Sequence, residues 1–452
     1  LAQDGSVERV KTRLVGCGYS QIAGRDFHDV YAHTLPGPCF RMLVSIIADE
    51  DLETDQIDAV KAFTQAPLDV ALYAWMPEGF SIPGYCLLLL KALEGIKQGA
   101  MLWFKKNKWA WNQCGLFADL AEPNLYTHET LSIIAGVFAD DVGVGFHHSI
   151  RKEYLALRAK YSELIKIDAP GPDVVRALSL FTGCELTRNR QAHTIKVTQR
   201  TYCGKLKERY AGKYTLNDLP YGASKSKRDA FEAMEAGKEE ASSETKEAYL
   251  NALGSIGWKA IMTGPELAFT YSSLCSFTSC PTTGHLAAAY HAIGYIINHE
   301  AMGITFGGKL RVPLGLREMP AYFMESRGVY AAADSSWGKA ARPYGGHAVM
   351  GSNGALVWKA SAFKTVVPDS TAEAETAEAS RATKSVLFVR TVKTGVRRGV
   401  VGPTLLLGDN SAMMDIVKKD GTTAKTRYFE RATMLVKYAV MRLLVVTGLV
   451  PT

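Results

Sequence analysis

The 452-residue sequence contains no apolar run of membrane-spanning length. Its opening stretch, LAQDGSVERVKTRL, is polar and does not read as a signal peptide; starting without Met, it reads as a fragment or a processed product. Cysteine is sparse and scattered. None of the eight cysteines forms a CxxC pair, and Cys275 and Cys280 stand too isolated for a zinc site. Reduced thiols and an intracellular setting are therefore expected. Internal repeats and low-complexity arrays are missing too, which excludes solenoid and propeller architectures. Charge of one sign is only mildly in excess. The 52 basic against 45 acidic residues give +7, which permits a polyanionic partner without demanding one.

What is present is ordinary globular composition, 47% hydrophobic and 21% charged, in a chain long enough for two to four domains. Strand-like RVKTRLVGCGY is followed by helical apolar spacing at Cys39 to Leu52, then by ETDQIDAVKAF with strand-then-helix character. Helices are predicted over Lys97 to Gln113 and Ile150 to Ile165, and a hairpin around TRNRQAH. Tyr214 to Thr245 is polar and rich in Ser, Lys and Glu, as a linker would be; Ala248 to Glu300 is helical, broken at TGPELAF and SCPTTG. From Gly328 the order is three strands, a helix, a strand and a helix.

Two stretches carry acids where apolar residues are expected. In GVFADDVGVG, Asp140 and Asp141 interrupt a β-prone run, and Asp58 ends the strand-like part of QIDAVKAF. A solvated hairpin tip is the plain reading. The alternative is metal-assisted phosphoryl transfer, in which carboxylates on a rigid support hold two hard cations ~4 Å apart.

The motifs VKTRLVGCGYSQ, QIDAVKAF, WMPEGF, ALEGIKQGAMLWF, AEPNLY and FADD occur in an order and spacing that resemble the reverse transcriptase of copia-type LTR retrotransposons. LFTGCELTRNR and YLNALGSIGWKAIMTGPELAF extend the similarity along nearly the whole chain. The resemblance implies that Asp58, Asp140 and Asp141 are palm carboxylates holding two Mg²⁺ ions, with Mn²⁺ as a substitute. It implies that Lys11 and Arg13 meet the nucleotide triphosphate, that Gln98 lies near its sugar, and that Phe63 blocks a ribose 2′-hydroxyl. Without it, Phe63 would be read as core, and Lys11 and Arg13 as a solvated strand face. Cys17 stands where the family has Lys, and Phe138-Ala139 where it has Tyr-Val.

The C-terminal motifs AADSSWG, STAEAET, GDNSA and TRYFE are similar to those of the family's RNase H domain. They imply catalytic acids at Asp334, Glu375, Asp409 and Glu430, with the first three as metal ligands. On pattern alone, Glu373, Glu375 and Glu378 read as a solvated helix start capped by Ser370 or Thr371.

The expected fold is multidomain α+β. Reverse-transcriptase fingers and palm (an antiparallel sheet with helices) occupy 1-210, a polar linker 211-247, a helical thumb-like region 248-325, and an RNase H-like mixed α/β domain 326-452. The expected partners are an RNA template, a DNA primer, RNA–DNA hybrid and dNTPs, with no membrane. The expected location is a cytoplasmic virus-like particle or the nucleus. A degenerate element that keeps only the fold or nucleic-acid binding is the alternative.

Overall fold

The computed structural model describes residues 14–221, 241–313, 316, 323, 328–336, 343–363, 368–419 and 429–450. The chain forms two compact units, Leu1–Leu35 with Glu53–Ala177, and Pro36–Leu52 with Leu178–Thr452. Each unit is thus made of two pieces, whereas the expected domains run in linear order.

The short piece of the second unit is helix α1 (Gly37–Asp49), which carries a proline in its first turn, where the missing N–H costs nothing. Phe40, Met42, Leu43, Val44, Ile46 and Ile47 are all at most 1% exposed. Residues 39 to 48 are all buried, so the helix is enclosed on every side.

In the first unit, β1 (Glu53–Ala59), β4 (Leu116–Ala118), β5 (Leu125–His128), β6 (Ile133–Phe138), β7 (Asp141–Phe146) and β8 (Ile167–Asp168) form an antiparallel sheet in the order β4-β5-β6-β7-β1-β8. Its core is Ile57, Val142, Val144 and Phe146 of the strands, with Trp103 and Trp111 of α2 (Gly99–Gln113) and Tyr154 and Tyr161 of α3 (Arg151–Leu164). A separate two-stranded ribbon pairs β2 (Pro67–Ala74) with β3 (Leu87–Lys91). Residues 14–17, read as strand-like, are not in a strand; a 3-10 turn follows at Gly18–Ser20.

The second unit continues with a sheet ordered β12-β11-β10-β9, where β9 is Leu180–Phe181, β10 Cys184–Asn189, β11 Thr194–Thr198 and β12 Ile304–Gly307. Helices α4 (Arg200–Arg209), α5 (Ser243–Met262), α6 (Ala268–Cys275) and α7 (Thr283–Asn298) share one apolar core. Helix α5 begins inside the stretch read as linker, because the Ser242 side chain accepts a hydrogen bond from the Thr245 N–H and caps it. Buried Arg41 of α1 donates to the carbonyls of Ile261 and Met262 at the end of α5, and to that of Leu356 in β15 (Gly354–Ala362).

The last sheet has the order β15-β14-β13-β16-β17, with β13 at Tyr330–Ser335, β14 at Tyr344–Gly351, β16 at Thr404–Gly408 and β17 at Val445–Leu449. Strands β13, β14 and β15 are antiparallel, while β16 runs parallel to both β13 and β17. Helices α8 (Thr371–Gly395), α9 (Ser411–Lys418) and α10 (Glu430–Met441) accompany them. Strand β16 is buried along its whole length, as a parallel inner strand should be. The fold is multidomain α+β, as expected. The last region adds one helix and one strand to the predicted order.

Candidate active sites

The first acidic site is built on a turn. Phe138 pairs with Asp141 across the β6/β7 hairpin, leaving Ala139 and Asp140 as its two-residue loop. Ala139 has φ +55°, a conformation that usually calls for glycine. The strained loop is held from two sides. The Trp103 indole N–H donates to the Ala139 carbonyl at 2.8 Å, and the Ala59 N–H donates to the Asp140 carbonyl at 2.9 Å.

Register then sets the neighbours. Asp58 of β1 lies directly opposite Asp141 and, on its other side, opposite Asp168. Directly opposed residues on antiparallel strands share a face, so three carboxylates form a row across three strands. Burial, then Asp140 and Asp58, push the Asp141 carboxyl up to about 6. Burial, followed by Asp140 and Asp168, raises Asp58, against an opposing effect from Arg176. An all-oxygen donor set of this kind suits a hard cation.

Asp168 was not singled out from sequence. Its strand is two residues long and has no periodicity to read. It meets Arg176 at 3.3 Å. The segment bearing Arg176 is fixed by a buried ion pair: Arg158 bonds to Asp55 at 2.9 Å and donates to the carbonyls of Gly171, Pro172 and Val174, while the Arg176 N–H donates to Asp55.

The expected nucleotide contacts are placed less favourably. Lys11 and Arg13 lie outside the described residues. Phe63 sits in the 3-10 turn Ala62–Gln65, with part of its ring packed on the core and part open. Gln98 is fully buried; its amide donates to the Asp26 carbonyl and accepts from Gln21, so it offers no group to a sugar in this conformation.

The second acidic site is more tightly drawn. Asp334, Glu375 and Asp409 each offer an oxygen, all within 4.8 Å of one another. Among the described residues this is the one such group; Asp58, Asp140 and Asp141 do not converge so closely, and Glu430, exposed at the start of α10, is outside it. Parallel pairing does the assembly. Ala332 is in register with Leu407, and each acid follows two residues later. Glu375 comes from the first turns of α8. One oxygen accepts from the Ser335 N–H and hydroxyl at 3.1 and 2.8 Å; the other, Oε2, is buried and has no partner. Burial, with Asp334 and Asp409 adding to it against the Ser335 bonds, lifts Glu375 to about 7. Asp334 is also raised, by burial and then by Asp409. Three converging carboxylates, one with an oxygen left without a hydrogen-bond partner, fit a divalent cation. Glu373, Glu375 and Glu378 are all buried, at 6, 5 and 1% exposure, so the solvated-helix alternative does not hold. Glu373 instead completes the helix cap, accepting from Asp369 N–H while its own N–H meets Ser370.

Residues 2–215 match the family model described as reverse transcriptase (RNA-dependent DNA polymerase). That stretch is similar to reverse transcriptases. Over a longer span the chain is similar to Pol polyproteins of plant retrotransposons. It is 24% identical to the retrovirus-related Pol polyprotein of a Nicotiana tabacum transposon, over 86% of this chain and 28% of that protein. It is 25% identical to one from Arabidopsis thaliana, over 67% of this chain and 20% of that protein. The chain thus spans less than a third of the length of these relatives. A foamy viral protease–reverse transcriptase, solved in complex with an RNA/DNA hybrid, overlays with a TM-score of 0.48 at 11% identity, covering 92% of this chain and 45% of that one. Within the matched stretch the Asp58–Asp141 row lies at the β6/β7 turn, and the tighter acidic trio lies beyond residue 215.

Proposed function

We propose that this chain is the reverse transcriptase and ribonuclease H portion of a copia-type retrotransposon polyprotein, copying RNA into DNA and cleaving the RNA of RNA–DNA hybrids. The observation that carries the reading is the convergence of Asp334, Glu375 and Asp409 with a buried, unpartnered Glu375 oxygen. The strand-borne row of Asp58, Asp141 and Asp168 supports the polymerase half.

Two Mg²⁺ ions, when bound at each site, would supply charge neutralisation on the scissile phosphate and activation of the attacking oxygen. The protein's own part is to hold the acids rigidly. Asp58, Asp140 and Asp141 would receive cations in the palm, and Asp334, Glu375 and Asp409 in the C-terminal region. In the first case the primer 3′-hydroxyl would attack the α-phosphate of a dNTP and displace pyrophosphate; in the second, water would attack an RNA phosphodiester and displace a sugar oxygen. Phe63, open on one side, would face the sugar of the incoming nucleotide, and Glu430 would join the nuclease centre on its solvent side. Template, primer and hybrid would be gripped mainly through their backbones, with affinity falling as salt rises. The site of action would be a virus-like particle or the nucleus.

Primer extension on an RNA template and cleavage of an RNA–DNA hybrid, both with Mg²⁺, test the reading. A chain inert in both assays would favour the second reading, a degenerate element that keeps its fold. The enclosed Gln98 amide is the observation on that side.

A further inference from the structure

One turn beyond Glu375, helix α8 carries a second buried acid that neither reaction uses. Glu378 is 1% exposed, yet unlike Glu375 both of its oxygens are engaged. One meets His347 Nδ1 at 2.6 Å and the other accepts from Arg381 at 3.1 Å. His347 Nε2 reaches the Ser385 hydroxyl at 2.8 Å. Carboxylate, imidazole and hydroxyl in line have the layout of a nucleophilic triad. With Ser385 only 5% exposed, no substrate can reach that hydroxyl, so the network does no chemistry of its own.

Its place in the ladder suggests another role. Ser335, which holds Glu375, is paired across β13/β14 with Gly345. A Cβ on Gly345 would fall 2.0 Å from the Glu378 oxygen, so the missing side chain makes room for that carboxylate. His347 lies two residues further along β14, on the same face as Gly345. The two acids, one helical turn apart, therefore dock on two adjacent strands: Glu375 on β13 and Glu378 on β14. Arg381 adds a third tie, donating to Ser361 of β15 and resting 4.3 Å from the centre of the Phe363 ring.

We propose that Glu378 and His347 are positioning residues, which lock the rotation and depth of α8 so that the Glu375 carboxylate converges with Asp334 and Asp409. This rests on the reading of those three acids as a metal-dependent nuclease site. Groups that orient the ligands of a metal are commonly worth 10–100-fold in metal affinity, so a loss of that size is expected.

The test is Mn²⁺ titration by calorimetry of the full chain carrying Asp140→Asn and Asp141→Asn, which leaves the C-terminal acids as the intact set. Glu378→Ala should weaken binding at least about 10-fold, while Glu378→Gln, which keeps the shape and an acceptor for His347, should stay within about 3-fold. Unchanged affinity in Glu378→Ala overturns the proposal. So does a Gln variant as weak as Ala, which would assign the effect to charge instead of placement. Should Glu378→Ala fail to fold by circular dichroism, His347→Phe fills similar space without either hydrogen bond and must show the same loss. Asp334→Asn separates the two claims: if it leaves Mn²⁺ binding intact, the metal-site reading itself falls, whereas if only Glu378 and His347 prove silent, the positioning role alone does.

Discussion

The two acidic centres reach similar donor sets by different routes. In the first unit, the acids sit on neighbouring strands and at a turn, spaced by β-sheet register. In the C-terminal region, two strand ends and a helix bring three oxygens within 4.8 Å. The strand-borne site is pinned through its backbone, by Trp103 and Ala59 on the turn carbonyls, while its carboxylates remain apart. The helix-assisted site is pinned through its side chains, by Ser335 on Glu375 and by the network around Glu378. Sheet register fixes where an acid is attached, and a packed helix can also fix where it points.

The largest effect that would sharpen this contrast is in the first unit alone. Arg158→Ala leaves Asp55 charged and enclosed, and breaking a buried pair in this way costs about 3–5 kcal/mol. Primer extension should be lost with the fold of that unit, while hybrid cleavage survives. Loss of both activities together would show that the two centres are not independent.

Substitutions of the acids themselves come next. Asp334→Asn or Asp409→Asn should cut hybrid cleavage by roughly 100- to 1,000-fold, about 3–4 kcal/mol, with primer extension retained. Asp140→Asn should do the reverse. Wild-type cleavage by Asp334→Asn would leave the C-terminal region without a catalytic role.

The pinned turn offers a smaller handle. Trp103→Phe removes the hydrogen bond to the Ala139 carbonyl and should cost about 1 kcal/mol in denaturant unfolding, with lowered primer extension and unaltered cleavage. An unaffected polymerase would mean the turn needs no such support.

The smallest effect is on pH dependence without metal. Glu375 is raised to about 7 from its ordinary value of 4.5, so the folded state holds its proton longer than the unfolded state does. Its contribution to stability is therefore full below about 4.5 and declines as pH rises toward 7. Asp141, raised to about 6, acts in the same direction from its ordinary 3.8 upward. Glu375→Gln should flatten this slope and raise the metal-free Tm at pH 7 by about 1–3 °C. Added Mg²⁺ should stabilise the wild type and leave the variant behind. A Tm that does not change with pH in the wild type would contradict the environment described for Glu375.

Legibility in the sequence followed the same division. The β6–turn–β7 hairpin could be read because apolar runs flank Asp140 and Asp141, and α2 and α3 because their spacing repeats with the helical period. Asp168 could not, since a two-residue strand carries no pattern. The acids of α8 were ambiguous for a physical reason: a helix start favours carboxylates whether they face water or a metal. What holds them in place is Ser335, Gly345 and His347, which are distant in sequence and ordinary in type. The place of α1 was hidden differently. A helix this rich in apolar residues announces burial but not the surface that buries it.

Helix α1 also has a schedule. Arg41 finds its carbonyl partners 220 and 315 positions further along the chain. At typical synthesis speeds of roughly 5–20 residues per second, the last of them leaves the ribosome roughly 15–60 s after Arg41 does. Throughout that interval one of the most apolar stretches of the protein is without its final cover. The acids of the first row, through Asp168, are all made within that interval, so their strands can pair while α1 still waits for its cover.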